Sequence, residues 1–193
     1  MRKVELVSLL EPVLGTSSTY LVAPSGGTTP AAVLIIIHFR DEILMPRFIL
    51  TRRSANLKTH KREISFPGGR LSREDDGDLL RTALRETKEE IGLQFSRQDI
   101  LGALRPVNTM TSNHFIVPFV TVQDNLAEHK LSAEEVEQII DAPLLETLQS
   151  MASDLAHRSL GKDAWKFVHD GSIIWGATAR ILKQLYDALI RPS

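Results

Sequence analysis

The chain has 193 residues, and its 23 lysines and arginines against 24 aspartates and glutamates leave a formal net charge of −1. A chain so nearly neutral has no overall positive field to attract nucleic acid or an anionic membrane, so we expect any phosphate-binding charge to be local. Hydrophobic residues make up 42% and charged residues 24% of the sequence, which is typical of a globular domain and excludes a mainly disordered chain.

The cysteine count is zero, which excludes disulfide scaffolds, thiolate zinc sites and cysteine nucleophiles. The longest apolar run, residues 31–37, is far shorter than the ~20 residues that a membrane helix needs. Glu5 and Glu11 interrupt the apolar pattern of the first residues, which is not typical of a secretory signal. We therefore expect a cytoplasmic protein that has no membrane partner.

The first part of the chain predicts a short helix followed by strands. Residues 1–12 space their apolar side chains as a short amphipathic helix does. Residues 31–39 and 47–52 are rich in β-branched and aliphatic side chains and flank a polar turn, so we expect them to form a β-hairpin. Residues 63–66 predict a further short strand, which ends at a proline followed by two glycines.

The strongest local signal is a helix over residues 78–91. Its apolar stripe consists of Leu80, Ala83, Leu84, Thr87 and Ile91. These positions recur at helical spacing among strong helix formers, and Gly92 supplies a stop, so the boundaries of the helix are predicted as well as its existence.

The second half of the chain predicts alternating strands and helices. Strands are expected at residues 100–104 and 115–122, helices at 132–140 and 143–151, and a strand pair at 165–168 and 173–174. Residues 175–190 predict a C-terminal amphipathic helix. The whole pattern favours one α/β (α+β) domain over residues 1–193, with residues 1–30 as an N-terminal extension.

Three glutamates on the predicted helix, Glu86, Glu89 and Glu90, project from one face. Like charges at this spacing oppose helix formation by roughly 0.2–0.5 kcal/mol per pair, so a cation should offset them. Arg85 can reach Glu89 one turn away, but one guanidinium does not neutralise three carboxylates. A hard divalent cation, Mg²⁺ or Mn²⁺, does, and it prefers oxygen ligands. The alternative is an ordinary solvated acidic face.

The surroundings of this helix favour the metal hypothesis. The glycine pair at 68–69 allows the backbone to approach a metal or a phosphate oxygen closely. Residues 52–62 are strongly basic in a chain that has no net positive charge. Metal ligands and local cations are the parts required to hold a polyphosphate.

These residues resemble a known motif. The segment from Gly69 to the run R-E-T-K-E-E-I-G-L at residues 85–93 is similar to the Nudix box, G-x5-E-x7-R-E-U-x-E-E-x-G-U, where U is a bulky aliphatic residue. Thr87 stands at a U position, and the segment from Gly69 to Arg85 is longer than the pattern. Either Asp75 or Asp76 stands near the first glutamate of the motif. The resemblance implies a Nudix-like α/β/α sandwich with a mixed central sheet.

A narrower resemblance lies upstream of the box. Residues 49–69 are similar to the signature L-L-T-x-R-S-x3-R-x3-G-x3-F-P-G-G of the coenzyme A pyrophosphatase branch of Nudix enzymes. Lys58 replaces the second arginine of that signature, which keeps the charge but loses the bidentate fork. Arg62 replaces its glycine.

The resemblance implies roles for individual residues. Those implied as metal ligands are Glu86, Glu89, Glu90 and the carbonyl of Gly69. Arg85 is expected to orient Glu89 or a loop, and the catalytic base is expected to be Glu89 or Glu135. A position at the entry of a helix is the other interpretation of Glu135. Arg53 and Lys58 are expected to contact phosphate groups or to be solvated surface charges.

The implied activity is metal-dependent hydrolysis of the diphosphate bond of a nucleoside diphosphate derivative. Coenzyme A is the first-choice substrate, and its products would be 3′-phospho-AMP and 4′-phosphopantetheine. One alternative is the same fold acting on ADP-ribose, NADH or another dinucleotide. Another is a non-catalytic nucleotide-binding module, which would not need all three helix glutamates. Nudix relatives often dimerise, so a homodimer is compatible with the resemblance.

Overall fold

The computed structural model describes residues 1–16, 27–40, 43–55, 62–109, 113–127, 131, 135–157 and 164–191. The helices are α1 (Lys3–Leu10), α2 (Leu79–Ile91), α3 (Leu144–Gln149) and α4 (Gly176–Leu189). The longer strands are β1 (Thr29–Arg40), β2 (Ile43–Arg53), β7 (His114–Gln123) and β8 (Val136–Pro143). The shorter strands are β3 (Ile64–Ser65), β4 (Gly68–Arg70), β5 (Ile100–Ala103), β6 (Val107–Asn108), β9 (Ala152–Ser153), β10 (Trp165–His169) and β11 (Ser172–Ile174).

The main sheet is mixed. Its central strands follow the order β3, β2, β1, β7, β5, with β4 paired to β1, β6 to β7 and β8 to β2. The β1 and β7 strands run parallel, whereas β1 and β2 form the predicted antiparallel hairpin. The remaining strands, β9 to β11, form a separate small sheet in which β10 and β11 pair as the sequence predicts.

Helices cover both faces of the main sheet because its central strands are apolar on both sides. On β1, Leu34 and Ile36 are buried in the core beneath α2, whereas Ile35 and Ile37 are buried in the core shared with α1, α3 and α4. A strand buried on both faces gives a continuous apolar run in the sequence, as residues 31–37 show. The architecture is an α/β/α sandwich, which confirms the predicted fold class.

The helix predicted at residues 132–140 is wrong where the structure describes it, since β8 begins at Val136. Residues 132–134 lie outside the described part of the chain. In β8, Val136, Ile140 and Ala142 are buried, whereas Glu137 is exposed. The strand forms because β2 offers an antiparallel partner along most of its length, from Arg47 opposite Pro143 to Arg53 opposite Val136, and long-range pairing of this kind overrides local helix propensity.

Among the residues that the structure describes, no helix is both long enough and apolar enough to cross a membrane.

Candidate active site

The α2 helix begins and ends where local chemistry places it. The Asp78 carboxylate accepts hydrogen bonds from the backbone N–H groups of Leu80 at 3.0 Å and Arg81 at 3.2 Å. Gly92 ends the helix in the left-handed conformation with φ of 74°. Both are standard end signals, and the apolar stripe between them packs on the sheet. The directions in which the three helix glutamates project follow from this packing.

A cluster of three carboxylates lies beside α2. Glu86, Glu90 and Glu135 each place one carboxylate oxygen within 4.8 Å of the others. The Glu90 side chain is 4% exposed and that of Glu86 is 17% exposed. Glu135 reaches the cluster because it directly precedes β8, where its carbonyl accepts a hydrogen bond from Ser54 N–H at 2.9 Å. Three acidic groups so close together form a potential cation site.

Glu89 lies outside this cluster. Its side chain is 58% exposed, and Oε2 accepts a hydrogen bond from Nη1 of Arg85 at 3.0 Å. The predicted contact between Arg85 and Glu89 is therefore present. The structure brings together two of the three helix glutamates that the sequence places on one face, and it adds Glu135 in place of the third. The predicted role of Glu89 as a metal ligand stays a prediction.

The glycine pair closes the site from the side of β4. A Cβ atom on Gly69 would lie 2.4 Å from Cδ of Glu86, so no larger residue fits while Glu86 keeps its position. Gly68 has φ of 150°, and a Cβ there would lie 2.2 Å from the carbonyl oxygen of Ala32. Its backbone N–H donates to Oε2 of Glu90 at 3.2 Å. The bend therefore requires glycine at position 68, glycine at position 69 leaves room for Glu86, and the Gly68 N–H supplies a donor to the cluster.

Arg85 links the helix to the loop that precedes it. Its Nε and Nη2 donate to the two carboxylate oxygens of Asp75, each at 3.0 Å, and Nη1 lies 3.0 Å from Oε1 of Glu86. Asp75 is completely buried and also accepts from Ser72 N–H and from the Thr82 hydroxyl, both at 2.9 Å. A bidentate guanidinium held in this way has one fixed orientation. Arg85 thus orients the first glutamate of the cluster.

Electrostatics show that the Asp75–Arg85 pair is charged in the folded protein. Burial by itself would raise the pKa of Asp75, but the hydrogen bonds from Arg85, Ser72 and Thr82 outweigh burial and hold the pKa well below its ordinary value. The hydrogen bond to Asp75 raises the pKa of Arg85 above its ordinary value, and the neighbouring Glu86 adds to that rise. The pair is a fixed ionic support beneath the cluster.

In the cluster, the pKa values of Glu86 and Glu90 are raised and not lowered. Burial raises the pKa of Glu90 to about 8, and the charges of Glu86 and Glu135 act in the same direction, against the Gly68 N–H and Arg53. Burial also raises the pKa of Glu86, although Arg85 opposes the shift. Carboxylates that are costly to ionise together are stabilised as anions by a bound cation, so the donor set fits a divalent metal ion.

The two predicted phosphate-binding cations differ in what the structure shows of them. Nη1 of Arg53, at the end of β2, lies 3.9 Å from Oε1 of Glu90. Arg53 therefore lies at the edge of the carboxylate cluster. Lys58 lies outside the described residues, so its predicted role stays a prediction.

Known proteins share both the sequence pattern and the fold. Residues 28–164 match the family model of the NUDIX domain. The chain is 34% identical over 165 residues to a protein from Yersinia enterocolitica named uncharacterized Nudix hydrolase NudL, and the match covers 83% of this chain and 82% of that protein. The chain belongs to the Nudix hydrolase family.

Solved structures of Nudix proteins share its architecture. A MutT/nudix family protein from Enterococcus faecalis matches with a TM-score of 0.61 at 12% identity, over 99% of this chain and 74% of that one. A NUDIX hydrolase from Alicyclobacillus acidocaldarius matches with a TM-score of 0.55 at 19% identity, over 84% and 93% of the two chains. At these identities the match shows the fold, which agrees with the α/β/α sandwich described above.

As a Nudix hydrolase, the protein is an enzyme whose activity is hydrolysis of a nucleoside diphosphate derivative, and its substrate is a small nucleotide. Nudix hydrolases generally use divalent metal cations. The closely spaced carboxylates near Gly69, of which Glu90 is buried, fit this requirement in charge and in ligand type.

The sequence alone does not distinguish Asp75 from Asp76 as the residue near the first glutamate position of the Nudix box. The structure assigns the partner of Arg85 to Asp75, whereas Asp76 is exposed and pairs with Arg81. A sequence signal was available, because Ser72 and Asp75 have the spacing of a capping box and form one in the structure. The Gly68 N–H that donates to Glu90 had no comparable signal, because backbone donors depend on the path of the chain.

Proposed function

We propose that this Nudix hydrolase cleaves the diphosphate bond of coenzyme A or of a coenzyme A derivative, with Mg²⁺ or Mn²⁺ as the cation. The observation that carries the proposal is the cluster of Glu86, Glu90 and Glu135 against Gly69. The coenzyme A branch signature at residues 49–69 supports the choice of substrate. Arg53, which matches the first arginine of that signature, lies at the edge of the cluster.

The metal would be held by Glu86, Glu90 and Glu135, with the Gly69 carbonyl as a further oxygen ligand. When bound, the cation would neutralise negative charge on the phosphate oxygens and lower the pKa of a water molecule. Arg85 keeps Glu86 in place through its bidentate bond to Asp75. Arg53 contributes positive charge for the substrate phosphates.

We propose Glu89 as the general base that accepts the proton of the attacking water. It is the helix glutamate outside the cluster, and its exposed carboxylate is oriented by Arg85. The water oxygen forms a bond to one phosphorus of the diphosphate, the bond from that phosphorus to the bridging oxygen breaks, and the bridging oxygen stays on the other phosphate. The products are two phosphate monoesters, 3′-phospho-AMP and 4′-phosphopantetheine. Glu135 is the alternative base, since the Nudix resemblance allows a base from a distant loop.

The test is hydrolysis of coenzyme A with Mg²⁺ or Mn²⁺ by the wild type and by the variants Glu90→Gln, Glu89→Gln and Glu135→Gln. We expect each substitution to lower kcat by at least ~100-fold, because each removes a charged group that binds the cation or accepts a proton. Glu137→Gln is the matched control, since Glu137 is an exposed glutamate two residues from Glu135. Near-normal turnover in both Glu89→Gln and Glu90→Gln would discard this site.

A substrate panel separates the rival functions. Faster hydrolysis of ADP-ribose or NADH than of coenzyme A would favour the alternative function, hydrolysis of ADP-ribose or a dinucleotide. Nucleotide binding without cleavage of any diphosphate would favour the non-catalytic module.

A further inference from the structure

Two adjacent arginines at the end of β2 lie on opposite faces of the main sheet. The contacts of the two side chains show this, because the pairing of β2 with β8 shifts register between Arg52 and Arg53; Arg53 points to the face where it approaches Glu90. Arg52 shares the other face with Leu50, which is buried in the core beneath α4. There Nη2 of Arg52 donates to Oγ of Ser172, on β11, at 2.8 Å. The branch signature accounts for Arg53 but leaves the position of Arg52 open.

Arg52 is a cation with little in the described structure to neutralise it. Its Nε is buried and has no hydrogen-bond acceptor among the described residues. Within those residues the Ser172 hydroxyl is the polar partner of its side chain, and no carboxylate forms an ion pair with it. A guanidinium carries five donors in a planar fork that suits a phosphate group. The positive charge of Arg52 is therefore not neutralised by a carboxylate of the described residues and is available to an anion.

The strand that carries Arg52 pairs with the two strands that lead to the carboxylate cluster. Arg52 pairs with Ile64 of β3, and β3 leads within four residues to Gly68, whose N–H donates to Glu90. On its other side β2 pairs with the start of β8, directly after Glu135. To bring a second phosphate to Arg52, a substrate with its diphosphate at the cluster would have to extend past Arg53 and around the end of β2.

We propose that Arg52, together with the hydroxyl of Ser172, binds a phosphate monoester of the substrate that is separate from the diphosphate being cleaved. The inference rests on the proposed function. Coenzyme A carries such a group, the 3′-phosphate of its ribose, whereas ADP-ribose, NADH and dephospho-coenzyme A lack one. Arg52 would thus be a specificity-determining residue for a 3′-phosphorylated substrate.

The experiment compares coenzyme A with dephospho-coenzyme A as substrates of the wild type, Arg52→Gln and Arg62→Gln. A charge-assisted hydrogen bond contributes about 1.5–3 kcal/mol, so we expect Arg52→Gln to lower kcat/KM for coenzyme A by ~10- to ~100-fold, mainly through KM. Hydrolysis of dephospho-coenzyme A should change by less than ~2-fold. Arg62→Gln removes one exposed charge from the same region and should leave the ratio of the two substrates unchanged.

Binding of the reaction product gives a readout besides turnover. The wild type should bind 3′-phospho-AMP more tightly than AMP in calorimetry, and Arg52→Gln should bind the two equally. If Arg52→Gln does not fold, the variants Arg52→Lys and Ser172→Ala are used in its place. Arg52→Lys keeps the charge and should show an intermediate loss, and Ser172→Ala should show a loss of ~3-fold confined to the 3′-phosphorylated ligand.

The outcomes separate this inference from the proposed function. Equal losses for coenzyme A and dephospho-coenzyme A in Arg52→Gln and Ser172→Ala would mean that the pair only braces β11 against β2, and would overturn the inference alone. Unchanged kinetics in Arg52→Gln, with normal cleavage of coenzyme A by the wild type, would also overturn the inference and leave the proposed function intact. Failure of the wild type to cleave either substrate would overturn the proposed substrate and this inference together.

Discussion

At the scale of single residues, the buried polar groups of α2 decide how well the site is held. Two threonines are buried in this helix at positions that differ in their partners. The hydroxyl of Thr82 donates to Oδ2 of Asp75 at 2.9 Å, whereas that of Thr87 has no hydrogen-bond partner among the described residues. A buried hydroxyl without a partner costs free energy that a methyl group of similar shape would not.

We predict that Thr87→Val stabilises the protein. The substitution keeps the shape of the side chain and restores the aliphatic residue usual in the Nudix box, so the free energy of unfolding should rise by about 1 kcal/mol. Urea unfolding measures the change. Thr82→Val is the matched control and should lower the free energy of unfolding, because it removes a donor to buried Asp75. A lower urea midpoint for Thr87→Val would show that its hydroxyl is satisfied after all.

Asp75→Asn should be one of the most destabilising conservative changes in the chain. It removes the fully buried, bidentate partner of Arg85 and leaves that guanidinium with more exposed partners such as Glu86 and Glu89, at a cost of about 3 kcal/mol in the free energy of unfolding. Asp76→Asn, next to it in the sequence, removes only an exposed ion pair with Arg81 and should cost less than ~0.5 kcal/mol. Equal losses in urea unfolding for the two variants would contradict the assignment of Asp75.

At the scale of elements, three strands of the main sheet are joined by a polar cluster away from the catalytic carboxylates. Asp141 of β8 lies 3.0 Å from Nε2 of His38 on β1 and accepts a hydrogen bond from Nε of Arg47 on β2 at 2.9 Å. Burial alone would raise the pKa of Asp141, but the hydrogen bonds from His38 and Arg47 outweigh it and hold the pKa at about 2. The cluster therefore stabilises the β1–β2–β8 arrangement through an ionised carboxylate.

The sign of this pKa shift predicts acid sensitivity. A folded pKa of about 2 against an ordinary value of 3.8 means that Asp141 stabilises the fold above about pH 4 and loses that contribution as the pH falls towards 2. The unfolding free energy of the wild type should therefore fall more steeply across this window than that of Asp141→Asn. Asp124→Asn, which alters an exposed ion pair with Lys3, should follow the wild type. Parallel profiles for the wild type and Asp141→Asn would disprove the assignment.

At the scale of the whole molecule, the carboxylate cluster joins parts of the chain that are distant in sequence. Gly69 belongs to β4, Glu86 and Glu90 to α2, and Glu135 precedes β8. A cation bound by all of them would bind the folded state and not the unfolded chain. Its binding free energy would then add to the stability of the fold.

We predict that Mn²⁺ or Mg²⁺ raises Tm and that a chelator reverses the rise. At a free metal concentration of 100 times Kd the added stability is about 2.7 kcal/mol. Glu90→Gln should abolish the metal-dependent rise in a thermal melt, whereas Glu137→Gln should retain it. A Tm that does not respond to either metal in the wild type would count against the cation site.

Local signals account for much of the catalytic helix. The apolar spacing of α2, its cap at Asp78 and its end at Gly92 are properties of a short stretch of sequence, so the helix and two of the three cluster glutamates were predictable. The hydrophobic run of β1 was predictable for the same reason. Residues near Glu135 were misinterpreted because a serine followed by glutamates is a helix-entry signal, and strand pairing with β2 outweighs it.

The amino-acid sequence by itself determined the Nudix box helix and the apolar strands, because each depends on a pattern of residues close together in the chain. Only the tertiary structure decided that Glu135 joins the cluster while Glu89 stays outside, and that Asp75 rather than Asp76 holds Arg85. These outcomes depend on the register of β8 against β2 and on the path of the loop before α2. Both are set by contacts between segments that the linear sequence keeps apart.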